Sequence, residues 1–183
     1  TLTLKEVPDP SAYGLILTDG TGRVWQFLEK PDQAQKGLGR QINAGIYVLN
    51  PRVLQGVPAN QPHSFERELY PALLAQGEAI YGFPAGDVYW LDLGKPEHYL
   101  KAHADILAGL VPVTIPGKKV KEGVWLGKNV VLSPGVVLQK SVLVGDESHL
   151  GKGTLLQGGT VLGEKVTVGE NRSLTGTLIW RGP

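Results

Sequence analysis

Four polar residues interrupt stretches of this sequence that are otherwise built from apolar and turn-forming residues. Glu29 and Lys30 close the run in "FLEKP", and Pro31 stops it. Asn43 opens "INAGIYVLNP", with Gly45 close behind. Asp92 sits within "VYWLDLGKPEHYL", shortly before Gly94. Each falls at the end of an expected strand, where open α/β sheets bind ligands. A carboxylate among apolar residues is costly unless it is paired, hydrogen-bonded or metal-bound. An ammonium neutralises phosphate, carboxylate and amide groups take hydroxyls, and a carboxylate can hold Mg²⁺. This set suits a phosphorylated sugar. Taken singly, each residue has a plainer explanation: a solvated loop start, a turn residue, or a turn cap or buried pair for Asp92. Their order in one chain favours a site.

The elements that must position them are legible in part. "TLTLKEV" alternates like a strand. Tyr13–Thr18 and Arg23–Leu28 read as a hairpin about Asp19-Gly20-Thr21-Gly22. "INAGIYVLN" reads as a buried strand, and Val88–Leu100 as a strand, a turn and a helix start. "SFERELYPALLAQG" predicts a helix with Ser64 as N-cap, Gly77 near its end, and a kink or break at Pro71. "EHYLKAHADILAGL" predicts a second helix with Tyr99, His103, Ile106 and Leu110 on one face, Leu100 and Leu107 beside it, and Gly109 near its end. The sum is an α/β layer whose strands have too few neighbours to make a full sheet alone.

From Glu122 the texture changes to hexads: EGVWLG, KNVVLS, PGVVLQ, KSVLVG, DESHLG, KGTLLQ, GGTVLG, EKVTVG, ENRSLT and a partial GTLIW. The fifth place is aliphatic from Leu126 through Leu174. Such a repeat predicts a left-handed parallel β-helix with three hexads per coil. Leu126, Val144 and Leu162 should form one inward column, Leu132, Leu150 and Val168 a second, and Leu138, Leu156 and Leu174 a third. Small residues or glycine after the aliphatic position should permit the corner. A sandwich of antiparallel strands would not keep the frame this long. The expected organisation is therefore 1–110, a linker over 111–121, and a β-helix over 122–183. Open coil ends invite a homo-oligomer.

Tyr13-Gly14, then "EKP", "INAGIYVLNP" and "YWLDLG", in this order, resemble the second half of the sugar-nucleotide pyrophosphorylases, nucleotidyltransferases that often carry a β-helix. "SFERELYPALLAQG" and "VLGEKVTVGEN" are most similar to the mannose-1-phosphate guanylyltransferase branch. The resemblance implies a Rossmann-like α/β half-domain followed by the β-helix. It implies that Lys30 contacts the sugar 1-phosphate, that Glu29 and Asn43 bond sugar hydroxyls, and that Gly14 admits close backbone approach. Asp92, in Trp90-x-Asp92-x-Gly94, would ligate Mg²⁺. Lys30 and Asp92 would be the catalytic pair in transfer of a nucleotidyl group from a nucleoside triphosphate to a sugar 1-phosphate, with GDP-mannose and pyrophosphate as products. The family's glycine-rich G-x-G-T-R-L-x-P loop is not found in the sequence. The chain, without methionine, reads as a piece of a longer polypeptide and is expected to be inactive alone.

Composition narrows the alternatives. With 183 residues, 42% hydrophobic and 19% charged, the chain is ordinary globular material. A formal charge of +1 provides no field for nucleic acid or anionic membrane. The absence of cysteine excludes disulfides and thiolate zinc sites and fits a cytoplasmic protein. Three other readings remain: a regulatory or assembly subunit of the same family, a glucose-1-phosphate nucleotidyltransferase, and an acyltransferase using His149. In "DESHLG" that histidine reads as a surface or corner residue, and an acyltransferase leaves the first domain unexplained.

Overall fold

The computed structural model describes residues 1–29, 31–32 and 35–181, with nothing to be said of the Lys36 side chain. Two compact units divide the chain, Thr1–Trp90 and Leu91–Pro183.

The first unit holds β1 (Leu2–Glu6), β2 (Gly14–Thr18), β3 (Val24–Glu29), β4 (Gln41–Tyr47), α1 (Tyr70–Ala75) and β5 (Gly82–Pro84). They form a five-stranded mixed sheet in the order β3-β2-β4-β1-β5, more pairing than the sequence pattern suggested. The β2–β3 hairpin closes about Asp19, whose carboxylate accepts from the backbone N–H of Thr21 and Arg23. These bonds, with the Thr21 hydroxyl first among them, hold the Asp19 carboxyl below its ordinary range. Leu2, Leu4, Ile16, Val24, Leu69, Tyr70 and Ile80 make the core.

The register of β1 against β4 slips where the site will be. Leu2 faces Tyr47 and Leu4 faces Asn43, so β4 carries extra residues as a bulge. Gly45 takes the positive φ, 78°, that the bulge requires. Bulges re-aim side chains, and this one displays the segment from Asn43 to Gly45.

The helical segment behaves as its sequence predicts. Ser64 caps it by accepting from Arg67 N–H at 3.2 Å. Phe65–Leu69 forms a wide turn with i→i+5 bonds, and the chain tightens to α-helix at Tyr70. Pro71 has no N–H to continue the upstream ladder, which accounts for the break. Gly77 ends the helix in a Schellman arrangement, its N–H on the Leu74 carbonyl and that of Glu78 on Leu73.

One expectation fails. Residues 88–93 form no strand. Val88, Tyr89 and Leu93 are exposed, and the carbonyls of Gly86 and Val88 are taken by the Lys5 ammonium rather than by a neighbouring strand. Among the described residues this apolar run joins no sheet ladder.

The second unit begins with α2 (Pro96–Leu107), which also ends in a Schellman arrangement at Gly109. Leu107 is its buried apolar residue, Tyr99, His103 and Ile106 are half-buried, and Leu110 is exposed beyond its end. Eleven short strands follow: β6 (Lys118–Lys121), β7 (Val124–Leu126), β8 (Val131–Leu132), β9 (Val137–Leu138), β10 (Val142–Val144), β11 (His149–Leu150), β12 (Leu155–Gln157), β13 (Thr160–Glu164), β14 (Thr167–Val168), β15 (Ser173–Thr175) and β16 (Leu178–Arg181). They stack as three sheets, β16-β13-β10-β7-β6, β14-β11-β8 and β15-β12-β9. This is a parallel β-helix, with β6 added antiparallel at one end.

All three predicted columns appear in the register. Val144 pairs with Leu126 and Leu162, Leu150 with Leu132 and Val168, and Leu156 with Leu138 and Leu174. Most of these side chains are buried, but Leu132 in the first coil is 42% exposed. The corner differs from expectation. The left-handed residue is the second of each hexad, at Gly123, Asn129, Gly135, Ser141, Glu147, Gly153, Gly159, Lys165 and Asn171. The sixth-place glycines meet a different demand: a Cβ at Gly163 would strike the Trp180 carbonyl, and one at Gly145 the Gly163 carbonyl. The buried hydroxyls of Ser148 and Thr154 donate to corner carbonyls at Gly163 and Gly169. In the last coil the frame shortens by one residue, since Leu162 pairs with Ile179. Ile179 therefore packs on the core while Trp180 is exposed.

Candidate functional site

The hairpin, the bulge and the wide helical turn converge in the first unit. Gly14 and Glu29 face each other across the hairpin. A Cβ on Gly14 would lie 3.2 Å from Glu29 Oε2, so only glycine leaves that carboxylate its place. The other Glu29 oxygen lies 3.5 Å from Arg67 Nη2. Beside Arg67, Glu66 turns to the bulge. Asn43 Nδ2 donates to Glu66 Oε1 at 2.9 Å and to the Tyr47 hydroxyl at 2.6 Å. Tyr47 donates to the same Glu66 oxygen at 3.1 Å. Asn43 Oδ1 accepts the Gly45 N–H at 3.0 Å, and no atom occupies the space where a Gly45 Cβ would stand.

Trp90 closes the bulge from another direction. Its indole N–H donates to the Ala44 carbonyl at 3.1 Å, and its ring meets Tyr13 edge to face at 5.5 Å. Burial, and then the Glu66 charge among the raising influences, lift the Tyr47 phenol above its ordinary range. Tyr70 is fully buried beneath the network, and among the described residues its hydroxyl makes no hydrogen bond of good geometry; burial first, then the nearby Tyr47 hydroxyl and the Glu66 charge, holds that phenol far above the ordinary range.

Of the residues singled out from sequence, the structure brings Gly14, Glu29 and Asn43 together. Lys30 lies outside the described residues. Asp92 belongs to the second unit, where it is half-buried. Its Oδ1 accepts the Gly94 N–H at 3.2 Å, and its carbonyl meets His98 Nδ1 at 2.9 Å. The turn-capping role left open for it from sequence is therefore present. Among the described residues no group of three or more histidines, aspartates and glutamates could hold a metal ion. Mg²⁺ in phosphoryl-transfer sites needs only one or two carboxylates, with phosphate and water completing its shell. Asp92 keeps Oδ2 clear of protein hydrogen bonds among the described residues, which fits that limited demand. His149 is exposed on β11.

Sequence reasoning missed Tyr47, Glu66 and Arg67. Tyr47 stands four residues after Asn43, and Glu66 and Arg67 follow the Ser64 cap directly. A charged pair just inside a capped helix looks like ordinary surface decoration, and only the bulge in β4 turns these side chains into partners of the site.

Residues 1–109 match the family model for nucleotidyl transferases. The chain belongs to that family. It is 38% identical over 160 residues to a mannose-1-phosphate guanylyltransferase of Mycobacterium tuberculosis, covering 78% of this chain and 44% of that protein. It is 35% identical over 133 residues to a UTP–glucose-1-phosphate uridylyltransferase of Synechocystis sp., covering 71% and 34%. A mannose-1-phosphate guanylyltransferase of Arabidopsis thaliana is 32% identical over 159 residues, covering 77% and 42%. The chain thus spans less than half the length of these relatives. No helix among the described residues is long and apolar enough to cross a membrane.

Proposed function

We propose that this nucleotidyl transferase chain carries the sugar-phosphate half of an enzyme joining GTP and mannose 1-phosphate into GDP-mannose and pyrophosphate. The supporting observation is the cluster of Gly14, Glu29 and Asn43, drawn together by Arg67 and Glu66 in a chain of this family. An oxygen of the sugar 1-phosphate attacks the α-phosphorus of the triphosphate. The new P–O bond forms as the bond to the β-phosphate bridging oxygen breaks, and pyrophosphate leaves with that electron pair. Such transfer depends on positioning and charge neutralisation, with no covalent enzyme intermediate.

Within this reading Glu29 accepts hydrogen bonds from sugar hydroxyls, and Gly14 lets the ring approach the strand. Asn43 bonds a further hydroxyl from the rigid bulge. The Lys30 ammonium neutralises the sugar phosphate. Asp92 would hold Mg²⁺, which when bound offsets charge on the phosphates. We place the protein in the cytoplasm, in keeping with a chain that has no cysteine. Self-association through the β-helix is part of the reading, supported by exposed Val131, Leu132 and Val137 in its first coil.

The test is pyrophosphate release with Mg²⁺ across a panel of nucleoside triphosphates and sugar 1-phosphates. It is run on this chain and on the chain extended upstream in its own reading frame. Fastest turnover with GTP and mannose 1-phosphate, abolished in Asp92→Asn, is expected. Preference for UTP and glucose 1-phosphate would move the assignment towards the Synechocystis relative. Silence with every pair would favour a regulatory or assembly subunit.

A further inference from the structure

We infer that Glu66 is the positioning residue that turns Asn43 into a pure hydrogen-bond acceptor, so that the sugar subsite reads hydroxyl groups only as donors. The inference rests on the sugar-phosphate reading and deepens it. An asparagine side chain has two donors and two acceptor lone pairs. Here both donors are spent within the protein, on Tyr47 and Glu66, and one lone pair takes the Gly45 N–H. One lone pair on Oδ1 is left for a ligand. The orientation is not a free choice, because a carboxylate only accepts and a backbone N–H only donates. Glu66 therefore fixes the amide nitrogen on its own side, and Gly45 fixes the oxygen on the other.

Glu29 is likewise an acceptor, and among the described residues the exposed Arg67 guanidinium is the donor near its far oxygen. A ligand meeting Glu29 and Asn43 must therefore supply hydroxyl hydrogens. An analogue lacking the hydroxyl leaves half-buried Asn43 and the more exposed Glu29 without a donor, and so binds more weakly. Glu66 and Arg67 are neighbours on the wide turn of Phe65–Leu69, so that single turn aligns both acceptors.

The experiment is an inversion of the pair. Asn43→Asp sets two carboxylates against each other, and adding Glu66→Gln supplies an amide that can donate to the new aspartate. In the active, upstream-extended protein, Glu66→Gln should raise KM for the sugar 1-phosphate about tenfold, the usual effect of losing one charge-assisted bond. KM for the nucleoside triphosphate should stay unchanged. Asn43→Asp should cost about a hundredfold, and the double variant should recover to within about tenfold of the parent. A double variant no better than Asn43→Asp, or equal rises in both KM values, would overturn the inference. A second readout needs no turnover. In this chain the two Asn43 side-chain amide protons should be resolved and protected from solvent exchange by NMR, and Glu66→Leu, which has no acceptor, should remove that protection. Fast exchange in the parent would overturn the inference by itself. Absence of turnover in the parent with every substrate pair, with the amide protected, would instead fail the enzyme reading.

Discussion

Replacing Gly14 with alanine separates the site from the fold more cleanly than any other single change. The backbone at Gly14 is ordinary strand, so alanine brings no conformational strain and should stabilise the strand by about 0.5–1 kcal/mol. Against this, its Cβ would stand 3.2 Å from Glu29 Oε2, and one of the two must yield by a few tenths of an ångström. The Glu29 carboxylate ends a flexible side chain that is 32% exposed, and among the described residues its other oxygen is held by Arg67 at 3.5 Å. An exposed pair of this kind is worth about 0–1 kcal/mol, so the carboxylate yields readily. The two effects nearly cancel, and the unfolding free energy should change by less than about 0.5 kcal/mol. The displaced carboxylate loses a hydrogen bond to the sugar worth about 1.5–3 kcal/mol. KM for the sugar 1-phosphate should therefore rise between about tenfold and a hundredfold, with KM for the triphosphate unmoved. Thermal melts and initial-rate kinetics on one preparation read both quantities. An unchanged sugar KM, or a loss of stability as large as the loss of binding, would refute the reasoning.

Three further outcomes follow from the same structure. Gly163→Ala drives a Cβ into the backbone carbonyl of Trp180 on the next coil, and melting should show a loss of at least about 2 kcal/mol; a change below 0.5 kcal/mol on the scale of a harmless surface substitution would contradict the stacking. Tyr70→Phe removes a buried hydroxyl that makes no good hydrogen bond among the described residues, so denaturant unfolding should show no loss and a gain of up to about 1 kcal/mol. His103, flanked by Tyr99 and Trp180, is held below the ordinary histidine range by burial. The unfolded chain then binds the proton more tightly, so stability is complete above the unfolded value near about 6.5 and falls as the pH drops below it. Melts between pH 7 and 5 should show a shallower fall in His103→Phe than in the parent.

The β-helix was the most legible part of the sequence, because a six-residue frame repeats one physical demand many times. Three columns of aliphatic residues could be written down from spacing alone, and the register reproduces them. The corner was misplaced because glycine is abundant at the sixth place, where backbones approach. The left-handed conformation at the second place is carried as often by Asn129, Ser141, Glu147, Lys165 and Asn171 as by glycine. Nothing in local composition marks a glutamate or a lysine for that conformation. The one-residue deletion before Ile179 was hidden for a similar reason, since Leu178, Ile179 and Trp180 are all apolar and any could be read as inward.

The candidate site was half legible. Glu29 and Asn43 drew notice because polar residues beside apolar runs need a reason. The bulge that aims Asn43 depends on pairing with β1, some forty residues earlier, and local periodicity carries no trace of it. The strand expected around Asp92 failed on the same ground: its sequence suits a strand, but no neighbour offers a ladder, and Lys5 and Trp90 anchor the segment by side chains instead.

The most direct test of the central claim is an NMR titration of this chain with mannose 1-phosphate, read at the backbone amides. The account predicts shifts confined to Tyr13–Leu15, Leu28–Glu29, Asn43–Gly45 and Glu66–Arg67, saturable even if the affinity is only millimolar, and lost in Glu29→Gln. Unmoved signals at Glu29 and Asn43 at saturating ligand, or the same shifts in Glu29→Gln, would contradict it.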